Sequence, residues 1–161
     1  MTTTDTTQPD ATTGDEGRFF LVTGPNAEAV ATALAAALPR AATVDGQVVG
    51  AMFMPDPDGA RADLEQLFLR FTAGIALADS FRLAGYDAVV ADDVPAEHLE
   101  AYLDFASPTP IHLVRLGASP AGDLPGLGLT ADAPDAVVEE ILARLPESVV
   151  ETETEQDTDD R

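Results

Sequence analysis

The chain has no cysteine, no tryptophan and no lysine; its eight basic residues are all arginines. Without cysteine there is no disulfide and no thiolate metal site, and the redox compartment stays open. Without lysine, no ammonium side chain is available to hold a phosphate. No apolar run approaches the roughly 20 residues of a membrane helix. Residues 1–17 are Thr- and Asp-rich and have neither the basic segment nor the apolar core of a secretory signal. Cytoplasm is the expected location. The two histidines, His98 and His112, lack metal-site spacing. His98 reads as a surface residue and His112 as a hydrogen-bonded residue, either core or half-buried. There is no G-x-S-x-G elbow, and the hydroxyls Thr23 and Thr130 near strand ends do not build a Ser–His–Asp arrangement.

What the chain does have is negative charge. Its net charge is −21, from 29 acids against eight arginines. Seven acids lie between Glu147 and Asp160, and four in residues 1–17. The rest sit in the body, which is therefore acidic as well. Such a surface repels nucleic acid and anionic membranes. Runs of like charge are ordinarily solvated faces, so solubility accounts for them without an acidic partner-binding device. Residues 1–17 and 147–161 carry few large apolar groups and cannot offset the entropy of ordering. Both are expected to be disordered tails around one domain, residues 18–146.

Within that body, strand and helix patterns alternate. Arg18–Thr23 reads as a buried strand. Asn26 is placed to cap a helix from Ala27 to Leu38, stopped by Pro39. Ala42–Val44 is a short second strand, and Gln47–Met54 a short helix. Pro55–Gly59 is a turn signal. A long helix follows over 60–84, with Leu64, Leu67, Phe68, Phe71, Ile75 and Phe81 at helical spacing and Gly85 at its end. Asp87–Ala91 is strand three, Ala96–Phe105 a short helix, Ile111–Leu116 strand four and Leu127–Leu129 a short edge strand. A last helix starts at Asp132–Asp135 and stops near Pro146. Strands alternating with helices predict a parallel sheet covered on both faces.

The turn after strand one is the most telling segment. Strand, glycine and helix form the setting of a phosphate-binding loop, G-x-x-x-x-G-K-[ST]. Here Gly24 stands at the first glycine, but Ala29 occupies the second, Val30 the lysine position and Ala31 the Mg²⁺-binding hydroxyl position. Glu28 adds a negative charge inside the loop. One such charge beside a polyanion costs on the order of a few kcal/mol in a partly buried setting. A helix N-terminus returns only about 1 kcal/mol.

Four segments together carry a family resemblance: FLVTGPNAEAVATALAAALP, TVDGQVVG, ALADSFRLAGYDAVVADDV and PTPIHLVRL. In order and spacing the body resembles the P-loop small-molecule kinases, the family of chloramphenicol phosphotransferase-like and related ATP-binding phosphotransferases. The resemblance implies a single-domain, three-layer P-loop NTPase-like α/β fold with a parallel sheet, and an ancestry that used ATP and Mg²⁺. It implies Asp45 as the base near an acceptor hydroxyl, Asp92 or Asp93 as organisers of Mg²⁺, and Gly24 and Asn26 as what is left of the phosphate loop. This chain departs from the family in its lost Walker A residues. It also lacks a lid: residues 117–126 (GASPAGDLPG) contain no arginine where family members place an arginine-bearing lid helix.

Other readings of these residues stay open. Asp45 is either a ligand-facing carboxylate or a cap on the next helix. Asp92–Asp93 is either a relic metal pair or a helix cap before Val94–Pro95. Met52, Phe53, Met54, Phe68 and Phe71 are either core or an apolar interface, uncovered by the missing lid, to a protein partner or a second copy. Phosphoryl transfer is mostly positioning and electrostatic stabilisation. The sequence therefore predicts a catalytically inactive pseudoenzyme that binds no ATP or Mg²⁺ and acts as a protein-interaction or assembly module. The alternative is a protein that binds a small ligand or nucleotide in the former acceptor cleft. Active phosphotransfer comes last, because only Arg40, Arg61 and Arg70 could supply cations.

Overall fold

Phe19–Thr23 forms β1, and all five residues are buried. A strand so uniformly apolar belongs in the middle of a sheet covered on both faces. It pairs in parallel with β3 (Asp87–Ala91) on one side and β4 (Ile111–Leu116) on the other. β2 (Ala41–Asp45) extends the sheet beyond β3, and β5 (Leu127–Leu129) beyond β4, giving the order β2-β3-β1-β4-β5 with every pairing parallel. The computed structural model describes residues 16–53, 63–117, 124–130 and 133–151.

Because side chains alternate along a strand, β1 feeds two cores. Phe20 and Val22 pack with α1 (Ala27–Ala37) and α5 (Pro134–Ala143). Phe19 and Leu21 pack on the opposite face with α2 (Gly46–Met52), α3 (Asp63–Leu83) and α4 (Leu99–Ala106). This single α/β domain with its parallel sheet is the expected fold class. Gly85 follows α3 with φ 89° and closes it, its N–H donating to Arg82 O at 2.9 Å. At the amino ends of the strands, Arg18 grips Asp87 through Nε and Nη2 at 3.2 and 2.8 Å.

The expected tail boundary at residue 147 needs correction. Leu145–Ser148 forms α6, and Val149–Val150 forms β6, which pairs antiparallel with Ile111 and His112 of β4. Composition misses this, because two valines count for little among acids, while the open edge of β4 makes them worth ordering. Ser148 is fully buried; its Oγ donates to Leu145 O at 2.6 Å and lies 2.9 Å from His112 Nδ1. His112 is half-buried, the second of its two readings, and stacks on Phe20 at 4.7 Å. Met54, the turn at 55–59, Arg61, the start expected for the long helix, most of the 117–126 connection and most of both tails lie outside the described residues.

Candidate functional site

The carboxyl ends of parallel strands are where open α/β sheets place ligands. Here the ends of β1, β2 and β3 enclose a cleft of about 200 Å³. Gly24, Asn26, Glu28, Asp45, Asp92 and Asp93 line it. The residues singled out around the loop and the strand ends thus meet in one place, and four of the six carry a carboxylate. No arginine is among the described residues that line it.

The loop over this cleft is only Gly24–Asn26, because α1 is already helical at Ala27. Gly24 has φ 108°, and a Cβ there would lie 2.4 Å from Leu116 O of the neighbouring strand. Its glycine is therefore demanded by the fold, whatever the loop binds. Asn26 is left-handed (φ 62°) and its side chain makes no capping bond, contrary to its expected role. Val30 N–H donates instead to the Asn26 backbone oxygen at 3.1 Å. A phosphate nest needs several successive amides turned inward, and in this chain those residues have been drawn into the helix. Val30 and Ala31 are each 2% exposed, part of the core beneath α1.

The carboxylates are held differently from one another. Asp45 caps α2, its Oδ1 accepting from Gln47 N–H at 2.9 Å. Asp92 is buried, and Arg70 of α3 reaches it, Nη2 to Oδ1 at 2.8 Å. The angle of that approach falls outside hydrogen-bond geometry, so the contact is an ion pair, while the same Nη2 donates to the Asp93 carbonyl at 3.0 Å. Burial pushes the Asp92 carboxyl above its ordinary range, and Arg70 offsets this only in part. Two glycines of α2 make room for the pair. A Cβ on Gly46 would fall within 2.3 Å of the Asp92 carboxylate, and one on Gly50 within 3.1 Å of Arg70 Cδ. Asp93 is exposed. The turn after it is not capped by either aspartate; Thr23 Oγ1 receives Val94 N–H at 3.0 Å.

Asp92, one of the two carboxylates that the resemblance implies for Mg²⁺, has a guanidinium in contact, and among the described residues no group of three or more His, Asp or Glu is disposed to hold a metal. Of the three candidate cations, Arg61 lies outside the described residues, Arg70 faces Asp92, and Arg40 sits at the opposite end of the sheet with its guanidinium 5.5 Å from the Tyr86 ring centroid. Arg115 of β4 donates to Pro125 O and Leu124 O, at 2.8 and 3.2 Å. The pairing of Arg70 with Asp92 was the feature sequence reasoning missed. Its signal was a lone arginine inside the apolar run Leu67–Phe71.

The expected apolar interface does not survive as a unit. Phe71 is fully buried against Tyr102, their ring centroids 5.1 Å apart, and belongs to the core. Phe68 is partly buried on that core, 5.2 Å from Phe105 and 5.7 Å from His98. Phe53 lines a second cleft of about 450 Å³ between α2 and α3, together with Gln47, Gln66, Leu67 and Arg70. Only Met52, 67% exposed, is a plainly open apolar side chain of this set among the described residues.

No protein-family model matches the sequence, and no curated protein matches it. Solved structures do resemble it. The APS kinase CysC of Mycobacterium tuberculosis, in complex with AMPPNP and APS, superposes with a TM-score of 0.62 at 14% identity, covering 81% of this chain and 98% of that one. A sugar kinase from a Janibacter species gives 0.57 at 13%, covering 82% and 96%. A gluconokinase from Sinorhizobium meliloti gives 0.52 at 17%, covering 81% and 92%. At such identities the likeness speaks for architecture alone, and the chain has the fold of the P-loop kinases.

Proposed function

We propose that this P-loop kinase fold no longer transfers phosphoryl groups and serves as a non-catalytic assembly module. One observation carries the reading. The cleft above Gly24 is lined by Glu28, Asp45, Asp92 and Asp93, and the arginine beside it, Arg70, is engaged by Asp92. Phosphoryl transfer depends on cations that position the nucleotide and neutralise developing charge. This cleft presents the opposite field to a triphosphate, and its loop is too short to wrap one. Isothermal titration with Mg-ATP and Mg-GTP up to millimolar concentration tests the reading. No binding heat is the expected result, and micromolar affinity for either nucleotide would refute it.

A second reading draws on the cleft between α2 and α3, which has the size of a small-molecule site and mixes polar Gln47, Gln66 and Arg70 with apolar Phe53 and Leu67. In that reading the protein binds a small ligand on the former acceptor side. A thermal-shift series over small polar metabolites distinguishes the two: a ligand whose stabilisation disappears in Gln66→Ala supports the second.

A further inference from the structure

The side of α3 turned away from the sheet is uncharged over four turns. Leu69 (41% exposed), Thr72, Ala76, Ser80 and Leu83 (71% exposed) follow one another at spacings of three and four, which places them on one stripe. Both hydroxyls are turned back onto their own helix. Thr72 Oγ1 donates to Phe68 O at 3.0 Å and Ser80 Oγ to Ala76 O at 3.1 Å. The stripe therefore offers solvent no charge, and its two hydroxyl protons are already engaged. A surface helix ordinarily carries its charges there, and this chain has charge in abundance, at −21.

The stripe is also symmetric in its own sequence. Thr72 and Ser80 lie equally far from Ala76 on either side, and so do Leu69 and Leu83. A two-fold axis through Ala76 sets a second α3 antiparallel to the first. Ala76 then meets its own copy, Thr72 meets Ser80, and Leu69 meets Leu83. An isologous interface demands this self-complementarity, residue i on j and j on i. Small side chains at the centre let the helix axes approach toward the close end of the usual 8–10 Å, and leucines fill the flanks. Charge argues for the same occupant. Two copies of an acidic chain repel wherever their acids meet, and between Leu69 and Leu83 the stripe brings none; Asp79 beside it is 3.0 Å from Arg82 of the same helix, and exposed Glu65 lies one turn beyond Leu69.

We propose that this stripe is the interface of a homodimer in which two copies of the chain pack through antiparallel α3 helices. The proposal supplies the assembly reading with its partner and takes its functional meaning from that reading. The contact runs about 21 Å along the helix, short for a permanent interface, so the dimer is weak and concentration-dependent. Since the joining surfaces are apolar and the molecules like-charged, added salt strengthens association by screening the repulsion.

Sedimentation equilibrium of the full chain, from micromolar to millimolar concentration at low and high salt, tests this. The expected result is a monomer–dimer equilibrium that tightens with salt. Ala76→Arg, which sets two guanidiniums on the axis, weakens it at least tenfold with unchanged melting temperature. Leu142→Arg, at a 40%-exposed leucine of α5 on the far face of the sheet, leaves it intact. The absence of cysteine permits a register check that does not depend on affinity. A mixture of Leu69→Cys and Leu83→Cys chains cross-links on mild oxidation, whereas Leu69→Cys alone does not. A monomer at every concentration, an Ala76→Arg dimer as tight as the parent, or a cross-link between two Leu69→Cys chains overturns the proposal. None of these measurements touches the cleft above Gly24, so nucleotide titration judges the loss of phosphotransfer separately.

Discussion

Arg70 and Asp92 form an ion pair across two layers of the fold, Nη2 to Oδ1 at 2.8 Å, with α3 supplying the cation and the end of β3 the anion. The pair also separates two cavities. Asp92 lines the cleft above Gly24, and Arg70 lines the one between α2 and α3.

Removing the cation strands the anion. Deleting one partner of a buried pair costs roughly 3–5 kcal/mol. Arg70 keeps 23% of its side chain exposed, so Arg70→Met is expected to lose about 2–3 kcal/mol at neutral pH. Burial already holds Asp92 above its ordinary range. In the variant a proton relieves the stranded charge, and the deficit shrinks as pH falls toward 5. Urea denaturation of both proteins at pH 7 and pH 5 checks this; an equal deficit at the two pH values contradicts it.

Gly24→Ala is expected to destabilise the fold by at least about 2 kcal/mol, combining a disfavoured positive φ with a backbone collision. Ala29→Gly, in the exposed first turn of α1, costs only about 1 kcal/mol. Thermal melts of the two variants compare them directly. If Gly24→Ala proved the milder change, the glycine would not be a requirement of the fold.

Restoring the loop by name does not restore its geometry. The triple change Ala29→Gly, Val30→Lys and Ala31→Ser places a lysine where the side chain is 2% exposed and removes a helix former. Its expected outcome is a loss of more than about 2 kcal/mol, from burying an unpaired charge, with still no Mg-ATP heat. Calorimetry of the triple variant showing micromolar nucleotide binding would show that the short loop can open.

Acid should loosen the carboxyl-terminal hook. Burial, aided by the charge of Arg18, holds His112 below its ordinary value of 6.5. The unfolded chain therefore binds more protons around that pH, and the stability this residue contributes is present above 6.5 and lost as pH falls below it. Asp87 adds to the loss in stronger acid. Burial raises its carboxyl, but the hydrogen bonds from Arg18 outweigh this and hold it below 3.8. His112→Phe is expected to flatten the decline in melting temperature between pH 7 and pH 5 without changing the part at lower pH. Parallel melts across that range read the difference.

The sheet was legible because β1, β3 and β4 are short apolar runs between turn residues, a pattern that burial on both faces enforces. Gly24 and the substitutions at Ala29, Val30 and Ala31 were legible as well, since a motif is a spacing. The early start of the following helix at Ala27 was legible too, and α1 begins there. What was not legible is the left-handed backbone of Asn26, whose side chain leaves the expected cap unmade. The Asp92 side chain read equally well as metal ligand or cap, because its partner lies 22 positions away on another element. Phe71 stayed open between core and interface for a related reason. Helical spacing groups residues by face, but α3 is apolar on several faces, and the sheet alone decides which is inside.

The outer edge of β4 is divided, with Val114–Leu116 paired to β5 and Ile111–His112 paired to β6 from the opposite direction. Each covering strand is too short to offer a neighbouring chain a long ladder of free amides. Among the described residues, the continuous open edge is that of β2, five residues with a single charge at its end. Any strand-by-strand aggregation of this chain would therefore have a direction, growing from the β2 side while the β5–β6 side stays capped.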